Sequence, residues 1–85
     1  MCIRDSVGMD DGLLILPSAH RHGVEEADIV HAVRFEAWHV KQADDMVMIV
    51  GPDRTGTLIE VGVIEWHGLA AVAHAMRPAR TKYLR

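Results

Sequence analysis

One cysteine, Cys2, is all that this 85-residue chain contains. No internal disulfide and no cysteine-based zinc site can be built from it, and such sparing use fits a reducing cytoplasm. No apolar run approaches the roughly 20 residues needed to span a bilayer, which argues against a membrane protein. Internal repeats, low-complexity tracts and a linker that would divide the chain are all lacking. Glycines are too few in Gly51-Pro52-Asp53-Arg54-Thr55-Gly56 for a phosphate-cradling loop, so the stretch reads as a chain-reversing turn. The most telling shortage is local: from Trp66 to Arg85 there is no acid.

What is present sets the class. A composition 49% hydrophobic and 25% charged is that of a globular domain. A chain this short buries only about 60–65% of the surface its unfolded form exposes, so its core is thin and a partner or second copy is expected. Met1 to Glu65 carries five cations against twelve acids, and Trp66 to Arg85 four cations against none, so −7 is followed by +4. That asymmetry points to an interaction surface at the basic end. Met1 to Ser6 is too polar and too short in its apolar part for a signal peptide and resembles translated adapter sequence, so residues 1–8 read as a non-native or disordered segment. A single domain is therefore expected over residues 9–85.

The elements follow from periodicity. Leu13-Leu14-Ile15-Leu16 reads as an opening strand or the entry to a helix, and Pro17 to Gly23 as a short helical turn with Gly23 as its cap. From Glu25 to Ala37 the pattern is helical, with Ala27, Ile29, Val30, Val33 and Ala37 on one arc and Glu25, Asp28, His31 and Glu36 opposite. Strands are expected over Ala37 to Gln42, Met46 to Val50, Thr57 to Glu65 and Leu69 to Met76, with a break at Asp44-Asp45 and a turn at Trp66-His67-Gly68. In the third run Ile59, Val61 and Val63 face one way and Leu58, Glu60, Gly62 and Ile64 the other, with Gly62 marking a bulge or a close approach. In the last, Ala70, Val72, His74 and Met76 are expected to share a face, with a helical turn as the rival reading because its alanines are weak strand formers. The whole is an α+β domain: one or two N-terminal helices packed on a three- to four-stranded antiparallel sheet, ending in a short tail or helix. The sheet face away from the helices is left partly open for a site.

Two groups of residues can do chemistry. His74, Arg77, Arg80, Lys82 and Tyr83 combine an imidazole able to act as acid or base, cations that fit phosphate oxygens, and an aromatic ring able to stack on a base. Cleavage of RNA through its 2′-hydroxyl needs that set: a base, an acid and charge stabilisation at phosphorus. The same residues would also serve as a solvated basic tail behind a core histidine. Arg21 and His22, just before the main helix, offer a second proton-transfer group and another phosphate contact, or else a polar helix cap. His20-x-His22 lacks the i, i+4 spacing that puts two ligands on one helix face, so no metal and no cofactor is expected. His31 is expected on the wet helix face near Asp28, and Trp38 and Trp66 as core or partner contacts.

Taken in order, His22-Gly23-Val24, Asp28-Ile29-Val30-His31-Ala32, Ile49-Val50-Gly51-Pro52-Asp53-Arg54, Leu58-Ile59-Glu60-Val61, His74-Ala75-Met76-Arg77-Pro78-Ala79-Arg80 and Lys82-Tyr83 resemble the BrnT-like toxins of type II toxin–antitoxin systems, in the wider RelE-like superfamily. The resemblance runs from about Leu14 to Leu84. It implies a RelE-like fold and a metal-independent endoribonuclease that arrests translation in the cytoplasm. A cognate antitoxin would cover the active face, and a homodimer or a toxin–antitoxin hetero-oligomer would be the assembly. On this resemblance His22, His74, Arg80 and Tyr83 are the catalytic candidates, and Arg21, Arg77 and Lys82 hold RNA phosphates. Arg21 stands where a lysine is often found, and Glu25 where a Ser/Thr helix cap is usual. The alternative is a catalytically weak or inactive interaction module of the same fold that binds an antitoxin-like partner, which the acidic balance favours. A third reading is a domain whose basic tail binds nucleic acid without cutting it.

Overall fold

A computed structural model describes residues 13–42 and 45–83. The leader over residues 1–8, Asp44 of the expected chain break, and the end of the tail at Leu84 and Arg85 lie outside the described residues. The architecture is α+β. Strand β1 (Leu14–Ile15) leads into a 3-10 turn (Pro17–His20), helix α1 (Glu26–Arg34), and strands β2 (Trp38–Lys41), β3 (Val47–Pro52), β4 (Leu58–Trp66) and β5 (Leu69–Met76). A second 3-10 turn (Thr81–Tyr83) follows. Among the described residues no helix is long and apolar enough to cross a membrane.

The expected three- or four-stranded antiparallel sheet is instead five-stranded and mixed, in the order β1-β5-β4-β3-β2. Strands β2 to β5 form the antiparallel meander. The apolar run before Pro17 adds β1 parallel to β5, with Leu14 beside Ala71 and Ile15 beside Val72. Pro17 then cuts β1 short, since it cannot donate to a ladder and its ring favours a first helical turn. The turn ends at Arg21 rather than at Gly23, whose φ of +77° comes two residues later.

Helix α1 ends at Arg34 with Phe35 as its cap, short of the expected Ala37, and it is rotated from the expected arc. Asp28, Ile29 and Ala32 are its buried residues, while Ala27 is exposed. Asp28 can turn inward because cations await it there, as described below. His31 is half-buried, with Nδ1 2.8 Å from the carbonyl oxygen of Pro52. Gly51 sets how closely helix and sheet approach, since a Cβ there would overlap the carbonyl oxygen of Ala32. Leu13, Ala19, Val24, Ile29, Ile49, Ile59, Val61, Val72 and Ala75 fill the space between them.

Two details of the meander decide where side chains point. Strand β3 runs on to Pro52, so the reversal falls at Asp53 to Thr57, tied by the Asp53 carboxylate to the N–H groups of Thr55 and Thr57. Between β4 and β5 the register shifts at Gly62/Val63: Gly62 faces His74 and Val63 faces Val72, leaving Ala73 as the extra residue. The expected face of Ala70, Val72, His74 and Met76 is therefore split. Val72 joins Ala75 in the helix-side core, while His74 keeps to the face of Glu60. The freed carbonyl of Ala73 accepts a hydrogen bond from the Ser18 hydroxyl at 2.8 Å. His67 and Gly68 both take positive φ in the two-residue β4–β5 turn, which suits the twist of a hairpin.

The face away from α1 is not bare. The chain after β5 folds back over it, and Ala79 and Tyr83 pack with Met48 and Val50 beside Trp38, Met46 and Leu58. The Ala79 N–H donates to the carbonyl of Leu58 at 2.9 Å, and Trp38 Nε1–H to that of Tyr83 at 2.7 Å.

Candidate functional site: a buried glutamate between histidine and arginine

Glu60 is fully buried in the middle of β4. Its oxygens meet four donor groups: His74 Nε2 at 2.8 Å, the Arg80 backbone N–H at 2.8 Å, and Arg80 Nε and Nη2 at distances down to 2.7 Å. Burial alone would raise its pKa. The Arg80 side chain and N–H, together with His74, outweigh that and hold the carboxyl below its ordinary value, so it is an anion at neutral pH. The pair also raises the pKa of the Arg80 guanidinium.

His74 lies one strand away on β5, with 24% of its side chain exposed. Gly62, directly opposite, leaves it room: a Cβ there would come within 3.2 Å of the His74 Cβ and 2.7 Å of Met46 Sδ. The glycine expected to mark a bulge or a close approach does both. His22, exposed after the first 3-10 turn, meets His74 edge to face with ring centroids 5.6 Å apart. Arg80 follows the buried anchor Ala79, and 44% of its side chain stays exposed. Strand, turn and tail thus bring His22, His74 and Arg80 together.

The other candidates sit differently. Tyr83 is buried, its hydroxyl donates to Gln42 Oε1 at 3.3 Å, and its ring lies beside the Arg80 and Lys82 cations at 5.4 and 5.1 Å. Lys82 is exposed. Arg21 is exposed at the end of the first 3-10 turn. Arg77 engages a second set of acids: Nε donates to Asp53 at 2.8 Å and Nη2 to Asp28 at 2.9 Å. Arg54 donates to the same Asp28 through Nε at 2.8 Å and to Glu25. Both aspartates are held below the usual carboxylate value, Asp28 chiefly by Arg54 and Asp53 chiefly by the Thr55 hydroxyl, and in each case against the effect of burial. The basic segment has no acids of its own, yet its two central arginines are paired with acids from α1, β4 and the β3–β4 turn.

Reading from residue types passed over Glu60, Asp28 and Asp53. One signal was available: Glu60 stands alone among Leu58, Ile59 and Val61, and an acid inside an apolar strand has to be buried with a partner. An open depression of about 950 Å³, lined by Lys41, Val47, Val63, Glu65, Leu69 and Ala70 among others, contains none of the candidate residues. Among the described residues, no three His, Cys, Asp or Glu side chains converge as metal ligands do.

The cluster defines a chemical class: an imidazole oriented by a buried carboxylate, a second imidazole beside it, and a half-exposed guanidinium on the same anion. No family model, no curated protein and no solved structure matches this chain.

Proposed function

We propose that this protein is the toxin of a type II toxin–antitoxin pair, a BrnT-like endoribonuclease of RelE-like fold that needs no metal. The observation that carries the reading is the meeting of His22, His74 and Arg80 over Glu60. In such a reaction one imidazole takes the proton of a ribose 2′-hydroxyl while its oxygen bonds to the adjacent phosphorus. The bond from phosphorus to the 5′-oxygen breaks, and the other imidazole protonates that oxygen. A 2′,3′-cyclic phosphate and a 5′-hydroxyl result. Arg80 would face the charge growing on the phosphate, with Arg21, Arg77 and Lys82 along the RNA backbone. The α+β architecture supports the family reading, although β1 adds a parallel strand that the resemblance did not imply.

Induction in a bacterial host should stop growth, and the purified chain should cut RNA with a chelator present. His22→Ala and His74→Ala should each relieve the arrest. Intact RNA at every concentration of folded protein would sink the proposal.

A second reading has an observation of its own. Arg77 and Arg80 are already paired with carboxylates, and the chain carries net charge −3, so RNA phosphates compete with built-in anions. On this reading the basic face only binds an antitoxin-like protein. It expects a stable complex with the product of a neighbouring gene, and no RNA cleavage.

A further inference from the structure

We infer that Glu60 is a positioning residue that fixes the proton of neutral His74 on Nε2, so that Nδ1 is the nitrogen that takes and returns a proton. The role in RNA cleavage rests on the ribonuclease reading; the tautomer assignment does not.

A carboxylate can only accept hydrogen bonds. The 2.8 Å contact between Glu60 Oε2 and His74 Nε2 therefore requires the hydrogen on Nε2. A neutral imidazole carries one such hydrogen, so Nδ1 keeps its lone pair. Glu60 cannot be the base itself: it is fully buried, and the Arg80 N–H and Nε occupy Oε1 while Nε and Nη2 share Oε2 with His74. It acts on a substrate only through its neighbours. The geometry also explains why a buried charge is kept at this position. The same anion that anchors the returning C-terminal segment through Arg80 holds the imidazole of β5 in one orientation, across from a glycine that leaves it space.

The test uses the full chain labelled with ¹⁵N in its histidines. Long-range proton–nitrogen correlation of neutral His74 should show Nε2 as the protonated, donor-type nitrogen and Nδ1 as the bare one. A proton on Nδ1, or an even mixture, overturns the inference. In Glu60→Gln the preference should relax toward a mixture; a lock that persists unchanged removes Glu60 as its cause. Should that variant fail to fold, a second pair decides together with the wild-type spectrum. His74→Gln places an amide nitrogen where Nε2 stands and keeps a donor for Glu60, whereas His74→Asn mimics Nδ1 and loses it. The Gln variant should melt at the higher temperature, and the reverse order counts against the inference. Both should lose about 100-fold or more in RNA cleavage, the usual worth of a proton-transfer group. The two ideas separate cleanly. Intact RNA with an Nε2-protonated His74 defeats the ribonuclease reading and leaves the tautomer assignment standing. Cut RNA with an Nδ1-protonated His74 does the opposite.

Discussion

Two arginines three residues apart, Arg77 and Arg80, each leave the end of β5 and reach buried acid, yet they build different things. Arg77 ties Asp28 of α1 to Asp53 of the β3–β4 turn, and Arg54 and the Thr55 and Thr57 groups share those carboxylates. Every partner there has a second partner, and nothing in the group titrates near neutrality. It is a clamp joining helix, turn and strand. Arg80 meets Glu60, whose other side-chain partner among the described residues is His74, and His74 meets His22. Here the carboxylate anchors the tail and also aims a group that can move a proton. Similar ion pairs close on themselves in one place and reach an imidazole in the other. What separates them is the histidine on the second acid.

The largest test of that contrast is stability. Arg80→Ala removes three of the four donor–acceptor links that arginine makes and leaves Glu60 a buried charge with little compensation, a loss of about 3–5 kcal/mol in denaturant unfolding. Arg77→Ala should cost clearly less, because Asp28 keeps Arg54 and Asp53 keeps Thr55 and Thr57. Equal costs would break the comparison. Growth assays with Arg80→Ala consequently read folding as well as chemistry, and Arg80→Lys, which retains a cation, is the cleaner probe of activity.

Acid should sharpen the contrast next. Asp28, Asp53 and Glu60 all have folded-state pKa values below their ordinary 3.8, 3.8 and 4.5. Above those ordinary values both states are ionised and the contribution is complete. As pH falls below them the unfolded chain binds protons first, so stability declines, and it is lost once pH drops through the lowered folded values. The melting temperature should therefore fall as the solution is acidified below about pH 4.5. The clamp holds two of the three carboxyls, so Asp28→Asn with Asp53→Asn should flatten that slope more than Glu60→Gln. The reverse order would place the dominant electrostatic contribution at Glu60.

The smallest expected effect concerns Tyr83. Its hydroxyl makes a long 3.3 Å bond to Gln42 while its ring is buried beside Arg80. Tyr83→Phe should change unfolding free energy by only about 0.5 kcal/mol, the low end for a hydrogen bond. If cleavage nonetheless falls 100-fold or more, the hydroxyl has a chemical role; unchanged cleavage makes Tyr83 a packing residue that flanks the Arg80 cation.

Much of the frame was legible from local pattern. The alternation over Thr57 to Glu65, the turn at His67-Gly68, a short turn begun by Pro17 (though it stops before Gly23) and a strand within Ala37 to Gln42 all appear, because side-chain period and Gly/Pro chemistry act over a few residues. Asp28 departs from its expected outward face for a physical reason: a helical arc sorts residues by polarity, and it does not register an arginine 49 positions away that makes burial of an acid favourable. Strict alternation puts Val72 and His74 on one face because it ignores a bulge, which depends on how β4 and β5 pair. The parallel strand β1 was invisible as such, since two apolar residues do not reveal which edge they join.

By itself the sequence determined an α+β chain, an acid-free basic segment at its C-terminal end, and His22 and His74 as groups able to move protons. Those are properties of residue type and short-range periodicity. Only the tertiary structure decided that the basic segment is answered by buried acids from three other elements, that Glu60 joins His74 to Arg80, and that His22 stands against His74. A carboxylate in the interior has to find donors wherever the fold supplies them, and they come from positions 14 and 20 residues along the chain.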